Sequence, residues 1–194
     1  LITDYLNQRI RKGTSNGIIS TVIGNGYAGY TGDGGHASQA QIKYTTRIVI
    51  DANNTVYFDS LDNNNVSRVR KIDSRGIVTT IAGSGPAGDL GDEGLAASAQ
   101  LNSVSGLAYS GSNLYIAVQD AAQFANKPSK THRIRVLDGG GTIRADVGGG
   151  IGDGGPAINA LFNTNNLVVL RDSAGKNDLY VSDSVNNSVR KVDL

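Results

Sequence analysis

The stretch Thr55–Gly83 reads TVYFDSLDNNNVSRVRKIDSRGIVTTIAG and predicts three short β-strands joined by turns. The first strand alternates around Val56 and Phe58, and the second alternates around Val69 and Ile72. The third strand, IVTTIA, is rich in β-branched residues. Alternation with period two, interrupted by Gly, Asn and Asp, is typical of strands and hairpins.

Two phrases related to this stretch recur along the chain. A basic strand phrase occurs at Asp4–Lys12 (DYLNQRIRK), Asp59–Lys71 and Asp183–Lys191 (DSVNNSVRK), with a stretched copy that ends in HRIRV at 132–136. A glycine-rich phrase occurs as GDGGHASQAQI from Gly32, GDEGLAASAQL from Gly91 and GDGGPAINALF from Gly152. Its aspartates, Asp33, Asp92 and Asp153, are 59 and 61 residues apart. This period and about four short strands per unit favour propeller blades over a helical solenoid.

The phrases resemble the NHL-repeat family, in the subtype whose GDGGPA loop is followed by three characteristic strands. The matching segments are Gly152–Ala157, Arg47–Asp51 (RIVID), Asn113–Ala117 (NLYIA) and Asn7–Lys12 (NQRIRK). The resemblance covers essentially the whole chain, although the proline that precedes the RIVID-type strand in the family is missing from all three units. It implies a β-propeller, usually six-bladed, and leaves the function open because members bind protein, bind RNA or act as lyases.

The fold class predicted from these repeats is all-β, a β-propeller of four-stranded antiparallel blades. The predicted divisions are a partial blade at 1–23, a blade at 24–82, a blade at 83–147 and a partial blade at 148–194. Strand counts of three, four, four and three give about three and a half blades. That number predicts an open arc or part of a six-bladed ring, since closed propellers take roughly four to eight blades.

Composition and short motifs restrict the binding partners and the cellular location that can be expected. A net charge of +1 argues against nucleic acid and against an anionic membrane as partners. No apolar run approaches the roughly 18 residues of a membrane helix, so no membrane span is predicted. Three sequons, at Asn53, Asn65 and Asn186, fall in predicted turns and are candidate N-glycosylation sites. They predict an extracellular or cell-surface location.

Residues that could hold a metal are few. Each glycine-rich phrase contributes one aspartate, whereas Ca²⁺ requires about six to eight converging oxygens, so these aspartates are expected to bond to their own turns. His36 and His132 are the only histidines, and they lie on different repeats, too few for a zinc site. We therefore predict no catalytic residue, no metal site and no cofactor.

Basic residues recur at one place in each repeat. They are Arg9, Arg11, Arg68, Arg70, Arg133, Arg135 and Arg190. One interpretation is a ring of cations for RNA phosphate or an acidic partner. The favoured interpretation is structural, with arginines pairing to acidic residues such as Asp4, Asp59 or Asp183. Alternation places the first and second arginine of each phrase on the same face.

The longest insertion, QDAAQFANKPSKT at 119–131, is a candidate binding loop. Its candidate contact residues are Gln119, Phe124, Lys127 and Lys130. Long loops on a repeat scaffold often carry binding, although a tolerated, solvated excursion fits the sequence as well.

The predicted function is that of a noncatalytic, extracellular NHL-like propeller that serves as a scaffold for binding or assembly. The expected partner is a protein, or a second copy through open blade edges, and glycans are a further candidate. The alternatives are a structural subunit of an extracellular fibre, a propeller-type lyase with a central metal, and an RNA-binding module.

Overall fold

The strands of the computed structural model form four separate antiparallel sheets. The structure describes residues 1–119, 132–148, 156–157, 160, 164–171, 174–184 and 186–194. These residues form two compact units, Leu1–Ser84 and Gly85–Leu194, and each unit contains two of the sheets.

The Leu1–Ser84 unit contains a three-stranded and a four-stranded sheet. The first consists of β1 (Ile2–Asp4), β2 (Arg9–Gly13) and β3 (Ile19–Ile23). The second consists of β4 (Ile48–Ile50), β5 (Val56–Leu61), β6 (Ser67–Ile72) and β7 (Val78–Ala82). Neighbouring strands in each sheet follow one another in sequence, which is the meander expected of a propeller blade.

The Gly85–Leu194 unit repeats this arrangement. One sheet holds β8 (Gly94–Leu95), β9 (Ser103–Ser110), β10 (Asn113–Gln119), β11 (Arg133–Leu137) and β12 (Thr142–Val147), in the order β8-β12-β11-β10-β9. The other holds β13 (Thr164–Arg171), β14 (Asn177–Asp183) and β15 (Ser188–Asp193). The described strands thus number three, four, five and three, because β8 adds an outer strand to the third predicted blade.

Aspartate side chains close the hairpin turns. Asp51, between β4 and β5, accepts hydrogen bonds from the backbone N–H groups of Asn53 and Thr55, both at 2.8 Å. Asp62, Asp73 and Asp138 accept in the same way from the residues two and four positions later, at 2.8 to 3.0 Å. Such Asx turns satisfy the turn backbone and so fix where each strand ends.

The glycine-rich phrase lies along the outer edge of its own sheet. The Gly34 N–H donates to the carbonyl of Val78 at 2.8 Å, and the Val78 N–H donates to the carbonyl of Gly35 at 3.0 Å. In the second unit, β8 pairs with β12 at the equivalent place. The phrase, expected to be a connector between blades, therefore also covers the backbone groups of an edge strand.

Each unit has its own hydrophobic core between its two sheets. The core of the first unit contains Ile10, Ile23, Ala37, Ala40, Ile42, Val56, Phe58, Ile72 and Val78. The core of the second contains Ala108, Tyr115, Ala117, Ile134, Val136, Val147, Leu167, Leu179 and Val181. Face-to-face packing of successive sheets is the packing of adjacent blades.

The helical segments described in full are three short 3-10 turns, Tyr5–Asn7, Ala37–Gln39 and Ala96–Ser98. In the described part of the chain, no helix has the length and apolar character needed to cross a membrane.

Candidate functional site

Arg70, from the recurrent basic phrase, is completely buried and binds the aspartate of the glycine-rich phrase. Its Nη2 and Nε donate to Oδ1 of Asp33 at 2.7 and 3.1 Å. The same guanidinium donates to the backbone carbonyls of Gln41 at 2.8 Å and Thr31 at 3.1 Å. One side chain on β6 thus fixes the glycine-rich connector against its sheet.

Arg135 on β11 makes the equivalent contacts in the second unit. It is also completely buried and donates to Asp92 at 2.8 Å, to the Gln100 carbonyl at 2.6 Å and to the Leu90 carbonyl at 3.5 Å. We call this repeated pair, Asp33 with Arg70 and Asp92 with Arg135, the Asp–Arg clamp. Its recurrence indicates a structural element of the repeat.

The expectation that the glycine-rich aspartates bond to their own turns differs from the structure. Asp33 accepts from Arg70 and, at 2.9 Å, from the backbone N–H of Thr80. Asp92 accepts from Arg135. The turn role belongs instead to the hairpin aspartates described above, and Asp153 lies outside the described residues.

Burial alone would raise the pKa of Asp33, but hydrogen bonds from Thr80 and Arg70, together with the Arg70 charge, hold its pKa below the ordinary value. The folded state therefore binds this proton more weakly than the unfolded state does. The resulting stabilisation is fully present above the unfolded pKa and is lost as pH falls through the lower folded pKa.

We expect the gap in free energy of unfolding between the wild type and Asp33→Asn to depend on pH in this direction. The gap should be largest above about pH 5 and should shrink as pH falls below about 4, where the unfolded carboxyl takes up its proton before the folded one does. Urea unfolding of both proteins across this range measures it. A gap that stays constant, or that widens in acid, would contradict the role given to the charged carboxylate.

The other recurrent basic residues also bind protein acceptors. Arg68 pairs with Asp62 at 2.5 Å, with both side chains nearly buried. The remaining pairs are Arg11 with Asp4 (3.1 Å), Arg190 with Asp183 (3.4 Å), Arg133 with Asp89 (3.2 Å) and Asp92 (3.5 Å), and Arg9 with the carbonyls of Asn7 and Asn25 (both 3.2 Å). Within the described chain, these arginines hold protein groups together and do not form a free ring of cations.

Asp59, which the sequence suggested as an arginine partner, is instead a brace for the start of β4. It accepts from the backbone N–H groups of Arg47 at 2.7 Å and Thr46 at 2.8 Å, and from the Thr46 hydroxyl at 3.0 Å. Burial raises the pKa of this carboxyl, against the lowering effect of those hydrogen bonds. Its bonds join β5 to the residues before β4, which is a structural arrangement.

The three sequon asparagines are exposed at hairpin turns. Asn53 lies between β4 and β5, and Asn65 lies between β5 and β6. Asn186 lies between β14 and β15, and its side-chain amide donates to Asp183 at 2.8 Å. A glycan at any of these turns would not displace the cores, and glycosylation itself stays a prediction.

The candidate binding loop falls mostly outside the described residues. Gln119 ends β10, and its side-chain amide donates to the Thr164 carbonyl at 2.7 Å. Phe124, Lys127 and Lys130 lie outside the described residues. Binding through this loop therefore stays a prediction.

A pair of exposed tyrosines lies at one end of the Leu1–Ser84 unit. Tyr5 belongs to the loop between β1 and β2, and Tyr44 precedes β4. Their rings stack with centroids 5.1 Å apart and an interplanar angle of 19°, yet the residues remain 42% and 41% exposed. Leu6 is 82% exposed, and the Lys43 ammonium lies 5.8 Å from the centroid of the Tyr44 ring. We call Tyr5, Leu6, Lys43 and Tyr44 the tyrosine surface.

Gln8 fixes the two loops that carry this surface. It is 9% exposed, and its side-chain amide donates to the Tyr5 carbonyl at 2.9 Å. Its side-chain oxygen accepts from the Tyr44 N–H at 3.1 Å. Because one buried amide bonds to both loops, the rings are held in place before any partner arrives, which lowers the entropic cost of binding.

Tyr44 has a backbone conformation that side chains rarely adopt. Its φ is +53°, in the left-handed region where a Cβ is unfavourable. Strain of this kind persists where the surrounding structure imposes it, and it is concentrated at functional sites. The strain therefore strengthens the case that the exposed ring is there to make contacts.

This strain makes Tyr44→Gly the less damaging of two truncations. We expect Tyr44→Gly to be about 1 kcal/mol more stable than Tyr44→Ala, since glycine tolerates a positive φ. Chemical denaturation of the two variants measures the difference. The matched pair Leu6→Gly and Leu6→Ala, in an exposed turn with negative φ, should show the opposite order. A Tyr44→Ala variant as stable as Tyr44→Gly would show that the backbone is unstrained.

Local sequence patterns do not indicate this surface. Tyr5 and Tyr44 are 39 residues apart and belong to no shared phrase. Gln8 offers no signal either, since the equivalent positions of the other copies hold Ser67, His132 and Asn187, which are also polar.

The histidines do not form a metal site in the described part of the chain. His36 precedes the Ala37–Gln39 turn, and its Nδ1 accepts from the Ser38 N–H at 3.3 Å. His132 is buried next to β11. No group of three or more His, Cys, Asp or Glu side chains among the described residues is arranged to hold a metal.

Comparison with a known structure identifies the fold as that of part of a β-propeller. The chain is similar to a crystal structure named as that of a "putative gluconolactonase", with a TM-score of 0.51 and 11% identity. The match covers 97% of this chain and 54% of the other, so the chain spans about half the length of that propeller. No family model matches the chain, and no curated protein matches it either. At this identity the likeness concerns fold alone, and the chain has the fold of part of a β-propeller.

Proposed function

We propose that this chain is part of an NHL-like propeller that binds a protein partner through the tyrosine surface, without catalysis. The observation that carries the proposal is the stacked and exposed pair Tyr5 and Tyr44, fixed by the buried Gln8. Adjacent exposed aromatic and aliphatic side chains on a rigid scaffold form a patch of the kind that marks interaction sites.

The chemistry of the surface suits protein recognition. Tyrosine offers a large amphipathic area with few rotatable bonds, and it is enriched at protein interfaces and among residues that dominate binding energy. Leu6 supplies an adjacent aliphatic side chain.

The described carboxyl groups with shifted pKa values support a noncatalytic role because they are committed to structure. Asp33 and Asp62 accept hydrogen bonds from Arg70 and Arg68, which help to keep both pKa values low. Burial raises the pKa of Asp59, but this side chain is 6% exposed and bonds to Thr46 and Arg47. A general acid working near neutral pH requires a raised pKa and access to a substrate. Because the fold resembles that of a structure named as a putative gluconolactonase, and because fold alone does not imply function, the absence of catalysis needs a direct test.

We propose an extracellular location on the strength of the exposed sequons. Asn53 and Asn65 lie in hairpin turns of one unit, at the two opposite ends of its second sheet. Expression through a secretory pathway should give a protein whose mass falls when N-glycans are removed enzymatically. Replacing Asn53, Asn65 and Asn186 together by Gln should abolish the fall. An unchanged mass in the wild type would count against this location.

The binding role can be tested without knowing the partner. Selection from a displayed library of random peptides is expected to yield ligands whose binding requires Tyr44, so Tyr44→Gly should lose them while remaining folded. A parallel assay should find no hydrolysis of gluconolactone, with or without added Ca²⁺ or Zn²⁺. Selected peptides that bind Tyr44→Gly equally well would contradict the proposal, and so would lactone turnover above background.

A further inference from the structure

Charges around the tyrosine surface are unbalanced. The Lys43 ammonium lies above the Tyr44 ring, and no salt bridge joins it to a carboxylate of the described residues. Arg9, which begins β2 directly after Gln8, donates only to backbone carbonyls, those of Asn7 and Asn25. The Lys43 side chain is partly exposed. One cation without a described carboxylate partner therefore lies beside the Tyr44 ring, whereas Arg9 is held by the two backbone carbonyls.

The nearby carboxylates are already paired. Asp4 accepts from Arg11 at 3.1 Å and from the Asn7 amide at 2.7 Å. Asp62, in the turn between β5 and β6 at the same end, is nearly buried against Arg68. Neither pairs with Lys43, so this end of the unit favours a negatively charged partner.

The arrangement of the rings selects among negatively charged partners. Because Tyr5 and Tyr44 stack on each other, each ring covers one face of its neighbour. Stacking of planar bases or sugar rings needs open aromatic faces, and here one face of each ring is already covered. The exposed Leu6 beside the rings offers contact area for branched aliphatic side chains.

We propose that the partner segment is an acidic polypeptide that carries aliphatic side chains. Its carboxylates would pair with Lys43, and its aliphatic groups would pack on Leu6 and the tyrosine pair. This inference rests on the proposed function and specifies the chemistry of the partner.

The test uses a fluorescent peptide of alternating Glu and Leu, with Lys-Leu and all-Glu peptides of equal length for comparison. Fluorescence anisotropy with the full chain should show the tightest binding for Glu-Leu. Lys43→Glu should weaken that binding by at least about fivefold, as loss of a central contact does. Lys12→Glu makes the same charge change on an exposed residue near the opposite end of β2, and it should have a much smaller effect.

Several results would overturn the inference. Equal binding of Lys-Leu would remove the charge argument, and equal binding of all-Glu would remove the aliphatic one. An equal effect of Lys12→Glu and Lys43→Glu would show general attraction without a site. Tighter, Tyr44-dependent binding of an oligothymidylate or an acidic polysaccharide would overturn this inference and the protein partner, yet keep the tyrosine surface as a binding site. Library peptides that require Tyr44 but carry no acidic residues would overturn this inference alone.

Discussion

Replacing Arg70 by alanine is expected to lower the free energy of unfolding by about 2–4 kcal/mol, because a completely buried side chain and its charge-assisted hydrogen bonds are removed, while Asp33 itself is partly open to solvent. The side chain is completely buried and satisfies three acceptors, Asp33 and the carbonyls of Thr31 and Gln41. Its loss leaves a cavity and removes the donor of the Gln41 carbonyl, and an unsatisfied group of this kind costs about 1–3 kcal/mol. The Thr31 carbonyl keeps the Gln41 N–H as a donor at 3.2 Å. Urea denaturation followed by circular dichroism measures the change.

Arg75→Ala is the matched control for this prediction. Arg75 also binds an aspartate through two nitrogens, reaching Asp73 at 2.8 and 3.0 Å, but its side chain is 79% exposed. An exposed pair contributes about 0–1 kcal/mol, so this variant should stay close to the wild type. Arg70→Lys should recover little of the loss, because an ammonium cannot reproduce the planar set of donors. Similar stabilities for Arg70→Ala and Arg75→Ala would show that the clamp is not a main source of stability.

Gly32→Ala is expected to destabilise the protein by about 3 kcal/mol, for two reasons that add. Its φ is +101°, where a Cβ costs about 1–2 kcal/mol. An added Cβ would also lie 2.7 Å from the Cα of Ala40, a backbone atom that cannot move aside cheaply. Forcing an extra carbon into such a space costs about 1–3 kcal/mol. Thermal or urea unfolding of the variant provides the measurement.

The second glycine of the same phrase provides the control. Gly34 has φ +80°, but an added Cβ there would meet nothing within 4 Å. The second repeat has Glu93 at the equivalent position with φ +63°, so a side chain is tolerated at this place. Gly34→Ala should therefore cost only about 1 kcal/mol. Equal losses at Gly32 and Gly34 would mean that backbone conformation, and not the approach to Ala40, determines the effect.

Strand positions could be predicted from the sequence because they depend on local alternation. The phrase at 66–72 was expected to form a strand, and the structure has β6 at Ser67–Ile72. The glycine-rich phrase was expected to be only a connector because it has no alternation. Its backbone nevertheless pairs with β7 in the first unit and, as β8, with β12 in the second. Such pairing depends on where a distant edge strand lies, and alternation does not report that.

Contacts between residues far apart in the sequence could not be predicted from local sequence patterns. Asp33 and Arg70 are 37 residues apart, and Asp92 and Arg135 are 43 apart. Their recurrence in the same order in two repeats was a readable sign of pairing. Tyr5 and Tyr44 have no such sign, since their stacking depends on the buried Gln8 and on a left-handed φ at Tyr44.

The most direct test of the tyrosine surface is photo-crosslinking with a library-selected peptide, followed by mass spectrometry of the digested protein. A photoreactive group near the peptide's centre is predicted to attach to Tyr5, Leu6, Lys43 or Tyr44, and Tyr44→Gly should lose the adduct. Adducts confined to the 119–131 insertion, or unchanged in Tyr44→Gly, would contradict the account and return the binding role to that loop.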